Sequence, residues 1–234
     1  MKIFKKGFNY SQDGPGNRLV YHLQGCNFRC KWCSNPEGMG SSCPTCKEYT
    51  TEELMDEIKR SQPMFFDGGG VTFTGGEATV QFEELAKLLK LLKMSGISTA
   101  VETNGSHPRL ESIFGLIDYL IMDVKHFDSE KHKYWTGDDG KNTYENLKRI
   151  CSCGRQALIR IPVINGVNDD AEKFAEYFEN LKCFALEFEF LAYHEFGKNK
   201  WNTPYEIENG FVSDEVMRQF EEVFRKKGFT VVNT

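Results

Sequence analysis

Three closely spaced cysteines are the residues of this chain best suited to chemistry. Cys26, Cys30 and Cys33 lie in one short polar loop that follows an apolar run. Thiolates are soft ligands of the kind that hold iron–sulfur clusters. A four-iron cluster held by three sulfurs keeps one iron open for a ligand that is not protein. An open iron beside a substrate pocket favours chemistry over simple electron transfer.

Two alternatives for this loop stay open at this point. Structural zinc takes four ligands, with cysteine pairs separated by about two to four residues, and Cys26 with Cys30 fits that spacing loosely. Disulfides are disfavoured, because residues 1–6 lack the apolar stretch of a signal peptide and thiols inside the cell stay reduced. We therefore expect a cytoplasmic protein whose cysteines include metal or redox ligands.

The other cysteines are harder to interpret. Cys43 and Cys46 have the spacing of half a metal site or of a redox pair. Cys151, Cys153 and Cys183 are interpreted as free cysteines of the core or surface. A second cluster built from Cys43, Cys46 and distant cysteines is a weaker alternative.

The composition is that of an ordinary globular protein. The chain has 234 residues, of which 40% are hydrophobic and 27% are charged. Its net charge of −5 is unsuited to nucleic acid, and no apolar run is long enough to cross a membrane. Neither a repeat nor a linker divides the sequence. We therefore expect one domain over residues 1–234, with no nucleic acid and no membrane as partner.

Strand and helix patterns alternate along almost the whole chain. Strands are predicted at 18–24, 71–74, 97–102, 119–124, 157–163, 184–191 and 229–232. Helices are predicted at 50–60, 82–94, 108–114, 143–150, 169–181 and 213–227. This alternation indicates parallel βα units joined by right-handed crossovers. About six units fall short of a full barrel, so we predict an α/β fold with a partial (β/α)6 TIM-like barrel.

Polar side chains follow the predicted strands, where such folds build their sites. Glu77 follows a strand flanked by glycines, and a carboxylate placed there could receive an amine or hydroxyls of a ligand. Two turns around a short strand would explain the same residues. Asp123 and Lys125 share one face of a strand, either as a salt bridge or as ligand contacts. His194 is either a site residue or a core histidine.

Together these motifs resemble the radical S-adenosylmethionine (SAM) enzymes, and more closely the glycyl radical enzyme activating enzymes. The cysteine loop by itself is typical of the superfamily. Within the matching stretch 13–18, residues 13–16 together with residues 193–198 narrow the resemblance to the activating enzymes. Other matching stretches are 24–37, 68–77, 102–105, 123–126, 160–162 and 166–170. The resemblance covers nearly the whole chain and implies a partial barrel of the radical SAM type.

Roles at the cofactor follow from this resemblance. Cys26, Cys30 and Cys33 would hold a [4Fe–4S] cluster, and SAM would chelate the open iron through its amino and carboxylate groups. Glu77 and its two glycines would contact the methionine part of SAM, and Trp32 would lie against the adenine. The set assigned to the SAM site comprises Trp32, Asn35, Gly75, Gly76, Glu77, Asn104, Lys125, Arg160 and His194.

Further positions are assigned by the same resemblance. Glu102, Thr103 and Asp123 match a monovalent-cation site of the family. Asp13 would face the incoming peptide of the partner, and Lys125 is grouped with it as catalytic. Glu102 stands where aspartate is common, and its longer side chain puts the cation site in question.

The implied activity is radical chemistry on a partner protein. A reduced cluster of low potential would cleave SAM to methionine and a 5′-deoxyadenosyl radical, which would take hydrogen from a glycine Cα of a glycyl radical enzyme. Such a radical needs a dry, enclosed site, which the protein supplies. Flavodoxin or ferredoxin is the expected electron donor. Two alternatives are a radical SAM enzyme that modifies a small peptide or metabolite, and a non-catalytic iron–sulfur or zinc module.

The chain also departs from many relatives in its length. Those relatives carry a ferredoxin-like insert with further clusters between the cysteine loop and the Gly-Gly-Glu motif. The segment between Cys33 and Gly75 is too short for such an insert. We interpret Cys43 and Cys46 as its remnant and predict a single cluster.

Overall fold

The structure is a computed structural model that describes residues 1–182 and 186–233. Its internal contacts divide the chain into two compact units. The first unit comprises Met1–Asn27, Asn35–Thr103 and Ser112–Ile121, and the second comprises Phe28–Ser34, Asn104–Glu111 and Met122–Thr234. The cysteine loop therefore begins in the first unit and continues in the second.

Five complete strands form the frame of the first unit. Its strands are β1 (Lys2–Tyr10), β2 (Asn17–Leu23), β3 (Lys47–Glu48), β4 (Gly70–Gly75) and β5 (Thr99–Thr103), in the order β3-β1-β2-β4-β5. β2, β4 and β5 are parallel, whereas β1 is antiparallel to both of its neighbours. β2 and β4 are buried almost throughout, as parallel strands covered by helices must be.

Two amphipathic helices belong to the first unit. α1 (Thr51–Ser61) begins at a capping box, in which the Thr50 hydroxyl accepts the Glu53 amide and the Glu53 carboxylate accepts the Thr50 amide. α2 (Phe82–Met94) buries four leucines at helical spacing, as its sequence predicts to the residue. A 3-10 helix at Leu110–Leu116 replaces the α-helix that we predicted at 108–114.

The second unit repeats the βα arrangement around an aromatic core. Its helices are α3 (Ser129–Thr136), α4 (Lys141–Ser152), α5 (Ala171–Asn180) and α6 (Asp214–Lys226). Its parallel strands are β7 (Ala157–Val163), β8 (Leu186–Ala192) and β9 (Thr230–Val231), and β6 (Tyr119–Asp123) precedes them in the chain. The Phe188 ring lies 4.7 Å from that of Phe178 and 4.9 Å from that of Phe224, centroid to centroid.

The prediction of an α/β fold with a mostly parallel sheet is confirmed. β1, β3 and α3 were not predicted, and the first two residues of the strand predicted at 184–191 lie outside the described residues. The single domain over residues 1–234 stays a prediction. Among the described residues, none lies in a helix that is both long and apolar enough to cross a membrane.

The cysteines outside the loop differ in their chemical state. Cys43, Cys46 and Cys153 are free, in line with the expectation for Cys153. Cys151 is disulfide-bonded, so the interpretation of Cys151 as a free thiol is wrong. Cys183 lies outside the described residues.

The capping box of α1 provides a test of the fold. Thr50→Ala removes the acceptor of the Glu53 amide, which costs a folded protein about 1 kcal/mol at a typical N-cap. We expect a lower urea midpoint for Thr50→Ala and a near-wild-type midpoint for Thr50→Ser, which keeps the hydroxyl. Equal midpoints for the alanine and serine variants would contradict a stabilising cap.

Candidate functional site

In the first unit, the glycines after β4 let two backbone segments meet. Gly75 has φ +125°, a conformation that side chains disfavour. A Cβ on Gly76 would lie 2.3 Å from the Gly25 carbonyl oxygen and 2.4 Å from that of Gly38. The Glu77 amide donates to the same Gly25 oxygen at 2.7 Å. The glycines therefore dock the Gly-Gly-Glu motif directly onto the start of the cysteine loop.

Glu77 is buried and its carboxylate is held by the protein. Its Oε1 accepts hydrogen bonds from the Thr79 amide at 2.9 Å, from the Thr79 hydroxyl and from the Thr103 hydroxyl at 2.6 Å. Donors of this kind favour the ionised form of a carboxylate. The structure thus brings together two predicted site residues, Glu77 and Thr103, and presents a fixed negative charge. Thr79 was not predicted as its partner.

The neighbouring strand and loop supply three more predicted residues. Glu102, at the carboxyl end of β5, accepts a hydrogen bond from the Thr74 hydroxyl at 2.7 Å. The Cys26 amide donates to the Met39 carbonyl at 3.3 Å, and the Asn35 carbonyl accepts the Gly38 amide at 2.9 Å. Residues 35–39 therefore support both Cys26 and the glycine motif within this unit.

Asp13 lies apart from this group. It precedes β2, so it sits at the amino ends of the parallel strands, whereas Cys26 and Glu77 follow their carboxyl ends. The Asp13 carboxylate accepts a hydrogen bond from Asn9, and its carbonyl accepts the Thr72 hydroxyl at 2.7 Å. These bonds give Asp13 a structural role in the loop, and its contact with a peptide stays a prediction.

Buried Arg18 anchors the same loop. Its Nε donates to the Thr72 hydroxyl at 2.8 Å and a terminal nitrogen donates to the Val71 carbonyl at 2.8 Å. Burial lowers the pKa of Arg18 to about 10, so the guanidinium still carries its charge at neutral pH. The negative charges of Asp118 and Asp13 act in the opposite direction and favour that charge.

In the second unit, the end of α3 holds the cysteine loop. The amide of Arg29 donates to the Thr136 carbonyl at 2.6 Å, and the amide of Lys31 donates to the Trp135 carbonyl at 3.1 Å. Cys30, between these two amides, is buried. Trp32 is buried as well, and its ring centroid lies 6.3 Å from that of Trp135.

The segment around His194 also packs on the loop. The Trp201 indole donates to the Cys33 carbonyl at 3.0 Å. A Cβ on Gly197 would lie 2.6 Å from that same oxygen. The exposed His194 ring stacks on Phe196 with centroids 4.3 Å apart. Desolvation lowers the pKa of His194, so its imidazole is neutral at pH 7.

The remaining predicted residues form charged and amide groups of the second unit. Lys125 Nζ lies 3.1 Å from Asp123 Oδ2, so the two side chains form an ion pair at the end of β6. Arg160 Nε lies 2.6 Å from Glu189 Oε2, and both side chains are buried. Asn104 is buried, and its side chain accepts the amide of Ser106. Glu189 was not predicted from the sequence.

The donor set fits an iron–sulfur cluster. Cys26, Cys30 and Cys33 form no disulfide, and the loop that carries them, residues 25–35, contains no aspartate or glutamate. Within the described residues, no three His, Cys, Asp or Glu side chains are close enough together to hold a single metal ion. The fit therefore rests on thiol chemistry and on the backbone bonds that hold each half of the loop.

The family comparison agrees with this donor set. Residues 20–178 match the family model described as the radical SAM superfamily. The chain is 35% identical over 224 residues to a pyruvate formate-lyase-activating enzyme of Clostridium pasteurianum, and 92% of each sequence is covered. A domain of a pyruvate-formate lyase-activating enzyme from Bacteroides vulgatus matches with a TM-score of 0.58 at 29% identity, over 70% of this chain and 98% of that one.

A further relative differs in length. The chain is 28% identical to a 4-hydroxyphenylacetate decarboxylase activating enzyme of Clostridioides difficile, with 92% of this chain and 90% of the relative covered. That alignment runs over 285 positions, which exceeds the 234 residues of this chain. The relative therefore holds internal residues that are missing here.

Buried His126 should make stability depend on pH. Its pKa is lowered, mainly by burial and also by Lys131 and His132, while the Val167 carbonyl and Asp128 raise it. The native state then binds fewer protons than the unfolded state, so stability is complete above about pH 6.5 and falls as the pH drops. We expect a lower urea midpoint at about pH 5.5 than at about pH 7.5. His126→Gln should reduce that difference, and an unchanged difference would contradict the assignment.

Proposed function

The chain belongs to the radical SAM superfamily and to its glycyl radical enzyme activating enzymes, and we propose that it activates a glycyl radical enzyme. The cysteine loop carries this proposal, because it combines three cysteines that form no disulfide with backbone hydrogen bonds to residues outside the loop. The relatives named for activation of pyruvate formate-lyase and of 4-hydroxyphenylacetate decarboxylase support the same class of substrate.

Cys26, Cys30 and Cys33 would hold the [4Fe–4S] cluster. When bound, the cluster would supply one electron for the cleavage of SAM to methionine and a 5′-deoxyadenosyl radical, which would take a hydrogen atom from a glycine Cα of the partner. The protein contributes position and shielding. Cys30 and Trp32 are buried, which keeps water from that part of the loop.

The polar residues assigned to the SAM site suit the polar ends of SAM. The fixed carboxylate of Glu77 would receive the ammonium of the methionine part, and Gly75 and Gly76 let the backbone segments before it pack closely. Lys125 would favour the carboxylate of SAM, and neutral His194 would donate or accept a hydrogen bond. The remaining assigned contacts are Trp32, Asn35, Asn104 and Arg160.

The proposed cation site has a weaker basis. Alkali cations are coordinated by oxygen atoms, which the side chains of Glu102, Thr103 and Asp123 supply. Asp123 is already paired with Lys125, and Glu102 accepts the Thr74 hydroxyl. A cation would therefore have to compete with an existing ion pair.

We propose that one domain in the cytoplasm performs the whole reaction. Flavodoxin or ferredoxin would supply the electron, since a cluster of low potential needs a low-potential donor. With a net charge of −5, the chain lacks the excess of positive charge that is typical of proteins that bind nucleic acid.

Electron paramagnetic resonance separates this proposal from its alternatives. The reconstituted protein would be reduced under anaerobic conditions with SAM and candidate glycyl radical enzymes, including a pyruvate formate-lyase. We expect a glycyl radical signal on the partner and one 5′-deoxyadenosine for each radical. If 5′-deoxyadenosine forms only with a small peptide or metabolite, the activation proposal fails. If SAM is never cleaved, the chain is a non-catalytic module.

The iron content of cysteine variants tests the cluster. Cys26→Ala, Cys30→Ala and Cys33→Ala each remove one of only three thiolates, so we expect loss of nearly all bound iron. The Cys43→Ala/Cys46→Ala double variant is the matched control and should keep about four irons per chain, as a single cluster requires. Loss of iron from the control would show that a second cluster, or zinc, uses that pair.

A charge-neutral substitution tests the role of Glu77. Glu77→Gln keeps the size of the side chain but removes the charge that would receive the SAM ammonium. Hydrogen bonds to charged groups contribute about 1.5–3 kcal/mol, so SAM should bind roughly tenfold to a hundredfold more weakly. Equilibrium binding of SAM to reconstituted protein measures this, with exposed Glu83→Gln on α2 as the control. Unchanged affinity would remove Glu77 from the SAM site.

A further inference from the structure

The backbone amides of the cysteine loop bond to carbonyl oxygens. The amides of Cys26, Arg29, Lys31 and Cys33 donate to the carbonyls of Met39, Thr136, Trp135 and Cys30 in turn, at 2.6–3.3 Å. These four amides are thus engaged by oxygen acceptors. In iron–sulfur proteins, amides that donate to cluster sulfurs stabilise the reduced, more negative cluster and raise its potential.

α3 takes the two amides that flank the buried ligand. Arg29 precedes Cys30 and Lys31 follows it, and both bond to the last residues of α3. These last carbonyls also form the negative end of the helix dipole, which disfavours an added electron nearby. Both effects act in the same direction and lower the potential of a cluster bound at Cys30.

The α3 clamp, defined as Trp135, Thr136 and Gly137, is itself well held. The Thr136 hydroxyl donates to the His132 carbonyl at 2.7 Å, and Gly137 ends the helix with φ +80°. The buried His132 ring meets the Phe28 ring edge-on, with centroids 5.4 Å apart. Lys31 Nζ lies 3.7 Å from the centre of the Tyr134 ring and 2.7 Å from Glu206. α3, which ends in the clamp, therefore contacts the loop through backbone hydrogen bonds, an edge-on ring pair and a cation–π contact.

We propose that the α3 clamp positions the cysteine loop and keeps the cluster potential low by withholding the Arg29 and Lys31 amides from sulfur. Trp135, Thr136 and Gly137 are positioning residues, since they act on the ligand through the backbone. A low potential favours transfer of one electron to a sulfonium, which is hard to reduce. This inference rests on the proposed function, because it concerns the cluster of that site.

Two variants loosen the clamp and two leave it intact. Thr136→Val removes the hydroxyl without changing the size of the side chain, and Gly137→Ala strains the turn that ends α3. Thr136→Ser keeps the hydroxyl, and Lys133→Ala changes an exposed side chain of the same helix. Urea midpoints establish that all four variants fold.

Two measurements are made on each protein. Amide exchange of the iron-free chain reports on Arg29 and Lys31, and redox titration of the reconstituted chain gives the cluster potential. We expect faster exchange in Thr136→Val and Gly137→Ala, with the reduction equilibrium shifted about tenfold toward the reduced cluster, or about 59 mV for one electron. Thr136→Ser and Lys133→Ala should match the wild type.

The outcomes separate this inference from the proposed function. If the amides exchange faster but the potential does not rise, the inference is overturned while the function stands. If neither loosening variant changes amide exchange, α3 does not hold the loop and the inference is also overturned. A wild-type chain that binds no cluster would overturn both.

Discussion

The cysteine loop has no helix or strand of its own, and the rest of the site depends on how its backbone is satisfied. Buried amides and carbonyls must find partners, and here the partners come from outside the loop. The carbonyls of residues 38–39 accept amides at the beginning of the loop, and the last carbonyls of α3 accept amides in its middle. The indole of Trp201 donates to a carbonyl at its end. The backbone around each of the three cysteines is therefore held by residues from outside the loop.

The same constraint explains the glycines beside the loop. The Gly25 carbonyl accepts the Glu77 amide, and a side chain on Gly76 would overlap that carbonyl oxygen. The turn that delivers Glu77 to the site is thus also a support of the loop. Cys26, a proposed cluster ligand, and Glu77, a proposed SAM contact, are held by one set of backbone bonds, so a change to the glycines would disturb both. The Gly-Gly-Glu motif and the cysteine loop therefore depend on each other for their backbone conformation.

Elements with a clear hydrophobic pattern of their own could be predicted from the sequence. α2 and β7 were predicted to the residue, because leucines recur at helical spacing in one and apolar residues occupy every position but Arg160 in the other. β1 was missed because most of its residues are exposed and give no alternation. α3 was missed because it buries only His132 and Thr136. The position of α3 depends on its hydrogen bonds to the cysteine loop. No pattern within the eight residues of the helix indicates those bonds.

The same distinction applies to the site residues: some could be identified from nearby sequence, and others depend on partners that are distant in the chain. Spacing identified Cys26, Cys30 and Cys33, whereas the partner of Arg160 could not be found from sequence, because Glu189 is a residue of the next strand. A buried ion pair is costly to form, and removal of one partner leaves an uncompensated charge. Glu189 therefore orients Arg160 before any ligand arrives, much as Thr79 and Thr103 orient Glu77. His194 is exposed, and its ring stacks on exposed Phe196 and accepts the amide of that same residue. The proposed charged contacts are thus preorganised, and His194 is the proposed contact that binding itself must order.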